Sequence, residues 1–271
     1  MRVAAIQMNS GPDVSANLDL ADGLLAEAAE DGCMLAVLPE NFALMPEKAT
    51  DKAKHAEAPG KGPIQDFLAE AARRHELWVV AGSMPLVSPE IAAKRVYGAC
   101  PVYNPEGEAR ALYRKIHLFD VDLVDKQESY RESRSMYPGD ELVTVNTPCG
   151  RIGLSICYDL RFPEMFRRLV DDGATVFTVP AAFTVTTGKA HWHILLRARA
   201  IENLAYVIAA GQYGQHPDRR STFGHSLICD PWGRILAEQA EGDCVVIADI
   251  DPELPAKLRS EFPALANRKL K

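Results

Sequence analysis

A chain of 271 residues with 47% hydrophobic and 25% charged side chains has a globular composition and enough length for a well-buried core. A formal net charge of −7 with no basic stripe excludes a general nucleic-acid or membrane-surface role. No stretch approaches the roughly 18 apolar residues of a membrane span, and the start, Met1 to Ser10, turns polar too soon for a secretory signal.

Arg2–Met8 reads as a first strand. Leu18, Ala21, Leu24, Leu25 and Ala28 then mark a helix ending near Gly32. Cys33–Leu38 is a continuous apolar run, hence a buried strand, and it delivers Pro39-Glu40-Asn41-Phe42. A charged surface excursion follows. Pro63 opens a second helix with Ile64, Phe67, Leu68, Ala71 and Ala72 as its inner stripe. Leu77–Gly82 is again a buried strand. Tyr97–Tyr103 and Ala109–Arg114 form two strands around the turn at Asn104–Gly107, with Lys115 at the exit. The polar segment from Ile116 to about Glu141 is long enough to be either functional or disordered.

Leu142–Asn146 and Arg151–Ile156 are strands, and the second runs into a sharp turn at Cys157. Beyond it Phe162, Met165, Phe166, Leu169 and Val170 recur at helical spacing, with Pro163 in the first turn. Ala174–Val179 is a strand, Lys189–Asn203 a helix and Ala205–Ala210 a strand. Thr222–Asp230 and Arg234–Glu238 read as a hairpin around Asp230–Gly233. Asp243–Ile250 closes the sheet system before a short charged helix. Helices and strands alternate at both ends, which implies sheet faces covered by helices. No linker or repeat divides the chain, so residues 1–271 read as one domain.

The six cysteines, Cys33, Cys100, Cys149, Cys157, Cys229 and Cys244, include no CxxC pair. They read as reduced thiols of a cytoplasmic protein. Cys157 differs from the others because a strand-to-helix junction holds it rigidly. A place near the positive end of the helix dipole would favour its thiolate.

Hydrolysis of an amide through a thiol needs four things. A carboxylate must take and return the proton, and donors must stabilise the oxyanion. The leaving nitrogen must be protonated, and a water must be activated. Glu40, Lys115, Glu132 and Cys157 stand at strand ends or in the long polar loop and supply those groups without a histidine. The lysine and the backbone N–H of Tyr158 suit the oxyanion, and the lysine's charge would lower the thiol pKa.

At these residues the sequence resembles the nitrilase, or carbon–nitrogen hydrolase, superfamily. The matching segments are Leu38-Pro-Glu40-Asn-Phe, Tyr113-Arg-Lys115-Ile-His-Leu-Phe-Asp120 and Ile156-Cys157-Tyr-Asp-Leu-Arg-Phe-Pro-Glu164. Glu132 matches the usual second glutamate. The stretches 182–192, 196–203, Phe223-Gly-His-Ser226 and Asp230-Pro-Trp-Gly233 resemble the Nit branch, which holds deaminated-glutathione amidases and omega-amidases. The run Gln212…His216…Arg219-Arg-Ser is nearer the first group.

The resemblance implies an α/β fold, a single-domain four-layer α-β-β-α sandwich. It implies a thiol amidase releasing ammonia from the terminal amide of a small carboxylated substrate, with no metal or organic cofactor, in a homodimer or larger homo-oligomer. An omega-amidase, an N-carbamoyl hydrolase and a catalytically silent binding protein are the alternatives. Phe42, Arg161, Phe183, Thr184 and Thr187 are candidates for the substrate pocket.

Other polar residues read as structural. Asp159 and Arg161 would pair near the turn, unless Arg161 meets an acidic substrate. His191 and His193, two apart on a helix, face different sides and lack a metal-binding pattern. His117 and His225 read as hydrogen-bonded, and Arg199 as buried beside a carboxylate. No glycine-rich nucleotide motif follows any strand.

Overall fold

The computed structural model describes residues 1–123, 128–217 and 220–270. Residues 124–127 of the polar segment, and Arg219 of the Gln212-to-Ser221 run, lie outside the described residues.

The first half contains β1 (Arg2–Gln7), α1 (Val14–Glu30), β2 (Leu35–Val37), α2 (Pro63–Arg74), β3 (Trp78–Val80), β4 (Met84–Val87), β5 (Val96–Tyr103) and β6 (Ala109–Arg114). A small hairpin, β7 (Asp120–Leu123) and β8 (Glu128–Arg131), leads to β9 (Thr144–Thr147), β10 (Gly150–Leu154), α3 (Pro163–Asp171), β11 (Val176–Thr178), α4 (Val185–Asn203) and β12 (Tyr206–Ala209). Then come β13 (Tyr213–Gln215), β14 (Ser221–Phe223), β15 (Ser226–Cys229), β16 (Ile235–Gln239), β17 (Cys244–Asp249) and α5 (Leu254–Glu261).

One sheet runs β17-β1-β2-β3-β5-β4, with β6 on the far side of β5, and the other runs β16-β15-β12-β11-β10-β9. The centre of each is parallel: β1, β2 and β3 in the first, β10, β11 and β12 in the second. Val3, Ala4, Ala5 and Ile6 are all fully buried, which marks a strand covered on both faces. Val3, Ala5, Leu35 and Val37 pack into one cluster with the second sheet and with α3 and α4. Ala4, Ile6, Ala36 and Leu38 pack into another with Leu24, Leu25, Ile64 and Leu68 of α1 and α2. The layers are therefore α1/α2, sheet, sheet, α3/α4. Each buried aliphatic side chain contributes about 1.5–3 kcal/mol to holding them together.

Most expected elements lie where the periodicity puts them, and the departures have local causes. β4 carries Pro85 and occupies the sheet edge, where a missing N–H breaks no ladder. The α4 helix begins at Val185 rather than Lys189. The Thr184 hydroxyl caps it by accepting from the Thr187 N–H at 3.3 Å, although the Thr-Val-Thr-Thr run lacks a helical stripe. The single strand expected over Thr222–Asp230 is two: β14 pairs with β13, and β15 pairs with β12 and β16. Positive φ at Gly224 (69°) and His225 (54°) turns the chain between them. The polar segment after Lys115 contains the β7–β8 hairpin. None of the described helices is long and apolar enough to cross a membrane.

Candidate active site

Glu40, Lys115 and Cys157 stand just beyond the C-terminal ends of β2, β6 and β10, a common place for α/β sheets to bind ligands. Three of those chain ends converge because the two sheets are stacked face to face.

Glu40 follows β2 through Pro39, and Gly82 allows that turn. A Cβ at Gly82 (φ 60°) would lie 2.0 Å from the Pro39 carbonyl oxygen, so only glycine lets the strands approach. Glu40 is 5% exposed. Its Oε1 accepts from Lys115 Nζ at 2.8 Å, and its Oε2 accepts from the Ala182 N–H at 2.8 Å.

Lys115, 2% exposed, leaves β6 with its own N–H on the Gly98 carbonyl at 2.9 Å. Its ammonium also donates to both oxygens of Glu132, each at 2.9 Å. Glu132 is fixed in turn by the Phe119 N–H, which donates to Oε2 at 2.6 Å. One ammonium thus bridges two carboxylates that come from different parts of the chain.

Cys157 has a φ of 49°, left-handed for a residue with a side chain. Strain of this kind persists only where surroundings hold it. Here the Cys157 N–H donates to the Pro180 carbonyl at 2.8 Å, and the Ser155 hydroxyl donates to the Thr178 carbonyl at 2.8 Å. Asp159, fully buried, supplies the stronger brace. Its Oδ2 accepts from the Ile156 N–H at 2.8 Å and from the Tyr113 hydroxyl at 2.7 Å. Its Oδ1 accepts from the His117 N–H at 3.0 Å and hydrogen-bonds the His117 Nδ1 at 2.7 Å. Tyr113 and His117 flank Lys115, so Asp159 ties the lysine's segment to the cysteine's turn.

That arrangement corrects the expected Asp159–Arg161 pair. The Arg161 guanidinium lies instead 5.4 Å over the Phe183 ring and 5.8 Å over the Tyr158 ring, and donates to His191 Nδ1 at 3.2 Å. Arg199 does meet a carboxylate, Glu202 at 2.9 Å, and also holds the Leu160 carbonyl at 2.7 and 3.0 Å. His193 and His225 share one oxygen of Glu238, at 2.7 and 2.6 Å. With that glutamate they are the one group of three metal-ligand side chains found close together among the described residues.

The electrostatics also differ from the thiolate expectation. Burial and the Glu40 charge push the Cys157 pKa well above its ordinary value, and the opposing pull of Lys115 does not offset them. The helix dipole contributes little, because Cys157 opens a separate single turn and α3 begins only at Pro163. Burial raises the Glu40 carboxyl, but Lys115, Lys52 and the Cys157 thiol outweigh it and the net direction is down. Burial opposes the Lys115 charge, yet Glu132 and Glu40 hold its pKa well above the ordinary range. Both directions leave the resting thiol neutral beside an ionised Glu40.

A cavity of about 770 Å³ opens over these groups. Arg161, Phe183, Thr184 and Thr187 line it. Phe42 does not. It is fully buried in the apolar layer under α1 and α2, because the turn at Asn41 (φ 60°) directs it into the core. Sequence reasoning missed Lys52 and Arg220, which also face the cavity. Lys52 sits among Lys48, Asp51 and Lys54, and only its burial distinguishes it. Five cationic side chains line the cavity, Lys52, Lys115, Arg131, Arg161 and Arg220, against the carboxylates Glu40, Glu128 and Glu132. The cavity wall thus carries more cationic than anionic side chains in a chain of net charge −7.

A stacked pair of sheets between helix layers, with a buried Glu–Lys–Glu cluster beside a strained cysteine, has the groups that hydrolysis through a thiol needs. The sequence model of the carbon-nitrogen hydrolase family matches residues 2–260, and the chain belongs to that family. It is a hydrolase of carbon–nitrogen bonds, of the amidase type.

The deaminated glutathione amidase of Synechocystis sp. (strain PCC 6803 / GT-S) is 43% identical, over 98% of this chain and 97% of its own. Saccharomyces cerevisiae Nit3, a member of branch 10 of the nitrilase superfamily, superimposes with a TM-score of 0.88 at 32% identity, covering 100% of this chain and 97% of its own. A glutamate-to-glutamine variant of the amidase from Nesterenkonia sp. AN1, carrying acrylamide on its active-site cysteine, gives a TM-score of 0.80 at 26% identity. That match covers 97% of this chain and 98% of the amidase.

Proposed function

We propose that this amidase hydrolyses deaminated glutathione through a thioester on Cys157. The observation that carries the mechanism is the Lys115 ammonium bridging Glu40 and Glu132 in the wall of the cavity that Cys157 also lines. Because the resting thiol is neutral, Glu40 removes its proton as Sγ attacks the amide carbon. Lys115 Nζ and the Tyr158 N–H stabilise the oxyanion. Collapse breaks the C–N bond, and Glu40 returns the proton to the leaving nitrogen. Water then attacks the thioester, giving its proton to Glu40, and the thiol reforms. Glu132 keeps Lys115 charged and aimed.

The substrate assignment draws on the relatives named as deaminated glutathione amidases and on the cationic side chains in the cavity wall. Deaminated glutathione is N-(4-oxoglutaryl)-cysteinylglycine, so the leaving group is the amine of cysteinylglycine. Ammonia, the product expected from the sequence, is released from a primary amide such as 2-oxoglutaramate. Both substrates yield 2-oxoglutarate, which makes one assay sufficient. Higher kcat/KM on deaminated glutathione is expected, and the reverse order would make the enzyme an omega-amidase. Cys157→Ala should abolish turnover on both with the fold intact. Turnover at the wild-type rate in that variant would overturn the mechanism.

The protein works in the cytoplasm as a homodimer or larger assembly. Unpaired cysteines at all six positions favour a reducing compartment. On α4, Ile194 and Ile201 lie two turns apart and are 70% and 48% exposed. Trp232, 50% exposed, and Phe262, 53% exposed, meet edge-to-face at 5.8 Å. An apolar strip of this kind suits an interface between copies.

A further inference from the structure

The wall of the cavity holds a buried lysine that, among the described residues, no carboxylate touches. Lys52 is 9% exposed and lies in the short helical turn 49–55 that follows Glu40. Its ammonium donates to the neutral Asn41 Oδ1 at 2.7 Å, and among the described residues it forms no salt bridge. Glu40 and Glu132 are near enough to favour its charge, but both are hydrogen-bonded to Lys115. Arg220 lines the same cavity and is near enough to disfavour it. Burial pulls the Lys52 pKa down to about 8.

A cation withdrawn from water beside another cation, with one neutral partner, destabilises a fold. It is explained by a ligand that completes the pairing. An ammonium has three donors, and Asn41 takes one. Asn41 is also the neighbour of Glu40 in the chain, and its N–H is fixed by the Ser83 hydroxyl at 2.8 Å. A group bound at Lys52 is therefore held at a set distance from the proton acceptor.

We propose that Lys52, with Arg220 beside it in the cavity wall, binds a carboxylate of the substrate and makes the enzyme selective for carboxylated amides. This deepens the reading of Cys157 as an amidase nucleophile and rests on it.

The test uses Lys52→Met, which removes the charge at similar volume, and Lys52→Arg, which keeps it. Titration calorimetry of 2-oxoglutarate on the Cys157→Ala protein measures carboxylate binding without turnover. Adding Lys52→Met should raise Kd at least about tenfold, and Lys52→Arg should restore most of the affinity. In the active enzyme, Lys52→Met should raise KM for deaminated glutathione with little change in kcat. Turnover of butyramide, which has no carboxylate, should fall far less than that of deaminated glutathione.

If 2-oxoglutaramate suffers the same KM penalty, the oxo-acid carboxylate is the one bound. If only deaminated glutathione does, it is the glycine carboxylate. The ligand-free Lys52→Met protein should melt no lower than wild type, since a buried charge has been removed. An unchanged KM for both deaminated glutathione and 2-oxoglutaramate in Lys52→Met would overturn the proposal. So would an equal loss of kcat on butyramide and deaminated glutathione, which would assign Lys52 to supporting the Glu40 charge. Residual turnover by Cys157→Ala would sink the nucleophile while leaving the binding result on Lys52 to stand.

Discussion

Glu40 must stay ionised in a place that water barely reaches, and the pH profile should show how. Its pKa is held below the ordinary 4.5 by Lys115 despite burial. The acid limb of kcat/KM should therefore lie below pH 4.5, because the base is lost only as pH falls through that lowered value. Lys115, raised well above its ordinary 10.5, does not titrate at neutral to mildly alkaline pH. Lys52 does, near 8. KM for carboxylated substrates should rise above pH 8 as its charge is lost, while KM for butyramide stays flat. Steady-state kinetics between pH 4 and 10 checks both limbs.

Asp159 offers a second prediction at this scale. Asp159→Asn puts an amide against donors that now find carboxylate oxygens. A loss of about 2–4 kcal/mol is expected, read as a fall in thermal melting temperature. A drop in kcat larger than the change in KM should accompany it, since Lys115 and Cys157 lose their shared brace.

Among elements, those with a clean period were legible. The α2 stripe and the buried runs of β2, β10 and β11 lie where their apolar spacing puts them. What was illegible follows from neighbours. The Thr-Val-Thr-Thr start of α4 is helical because Thr184 caps it and Gly188 lets it pass Phe223. A Cβ at Gly188 would lie 2.3 Å from that ring. The break between β14 and β15 arises because each half pairs in a different sheet. Gly82→Ala tests the turn that carries Glu40. Its Cβ would meet the Pro39 carbonyl, and the backbone conformation itself is costly for alanine. We expect a loss of stability of more than about 1 kcal/mol and a fall in kcat, measured by denaturant melts and turnover, as Glu40 is displaced from Lys115.

At the scale of the molecule, the exposed apolar strip on α4 predicts a specific assembly. Ile194→Glu should shift the protein toward monomer in light scattering with column separation, leaving its melting curve cooperative. An unchanged mass would remove this face as the interface.

The sequence by itself determined the chemistry available. Cys157, Lys115, Glu40 and Glu132 could be singled out because each ends a strand or stands in a loop and matches a motif, and the covered-sheet fold followed from alternating periods. Only the tertiary structure decided how those groups meet. Burial is a property of the whole packing, so it alone revealed that the thiol rests neutral, that Phe42 belongs to the core, and that Asp159 braces two segments rather than pairing with Arg161. For the same reason, one lysine in a charged surface-like stretch proved to be withdrawn from water. No local pattern of residues encodes how far a charge lies from solvent.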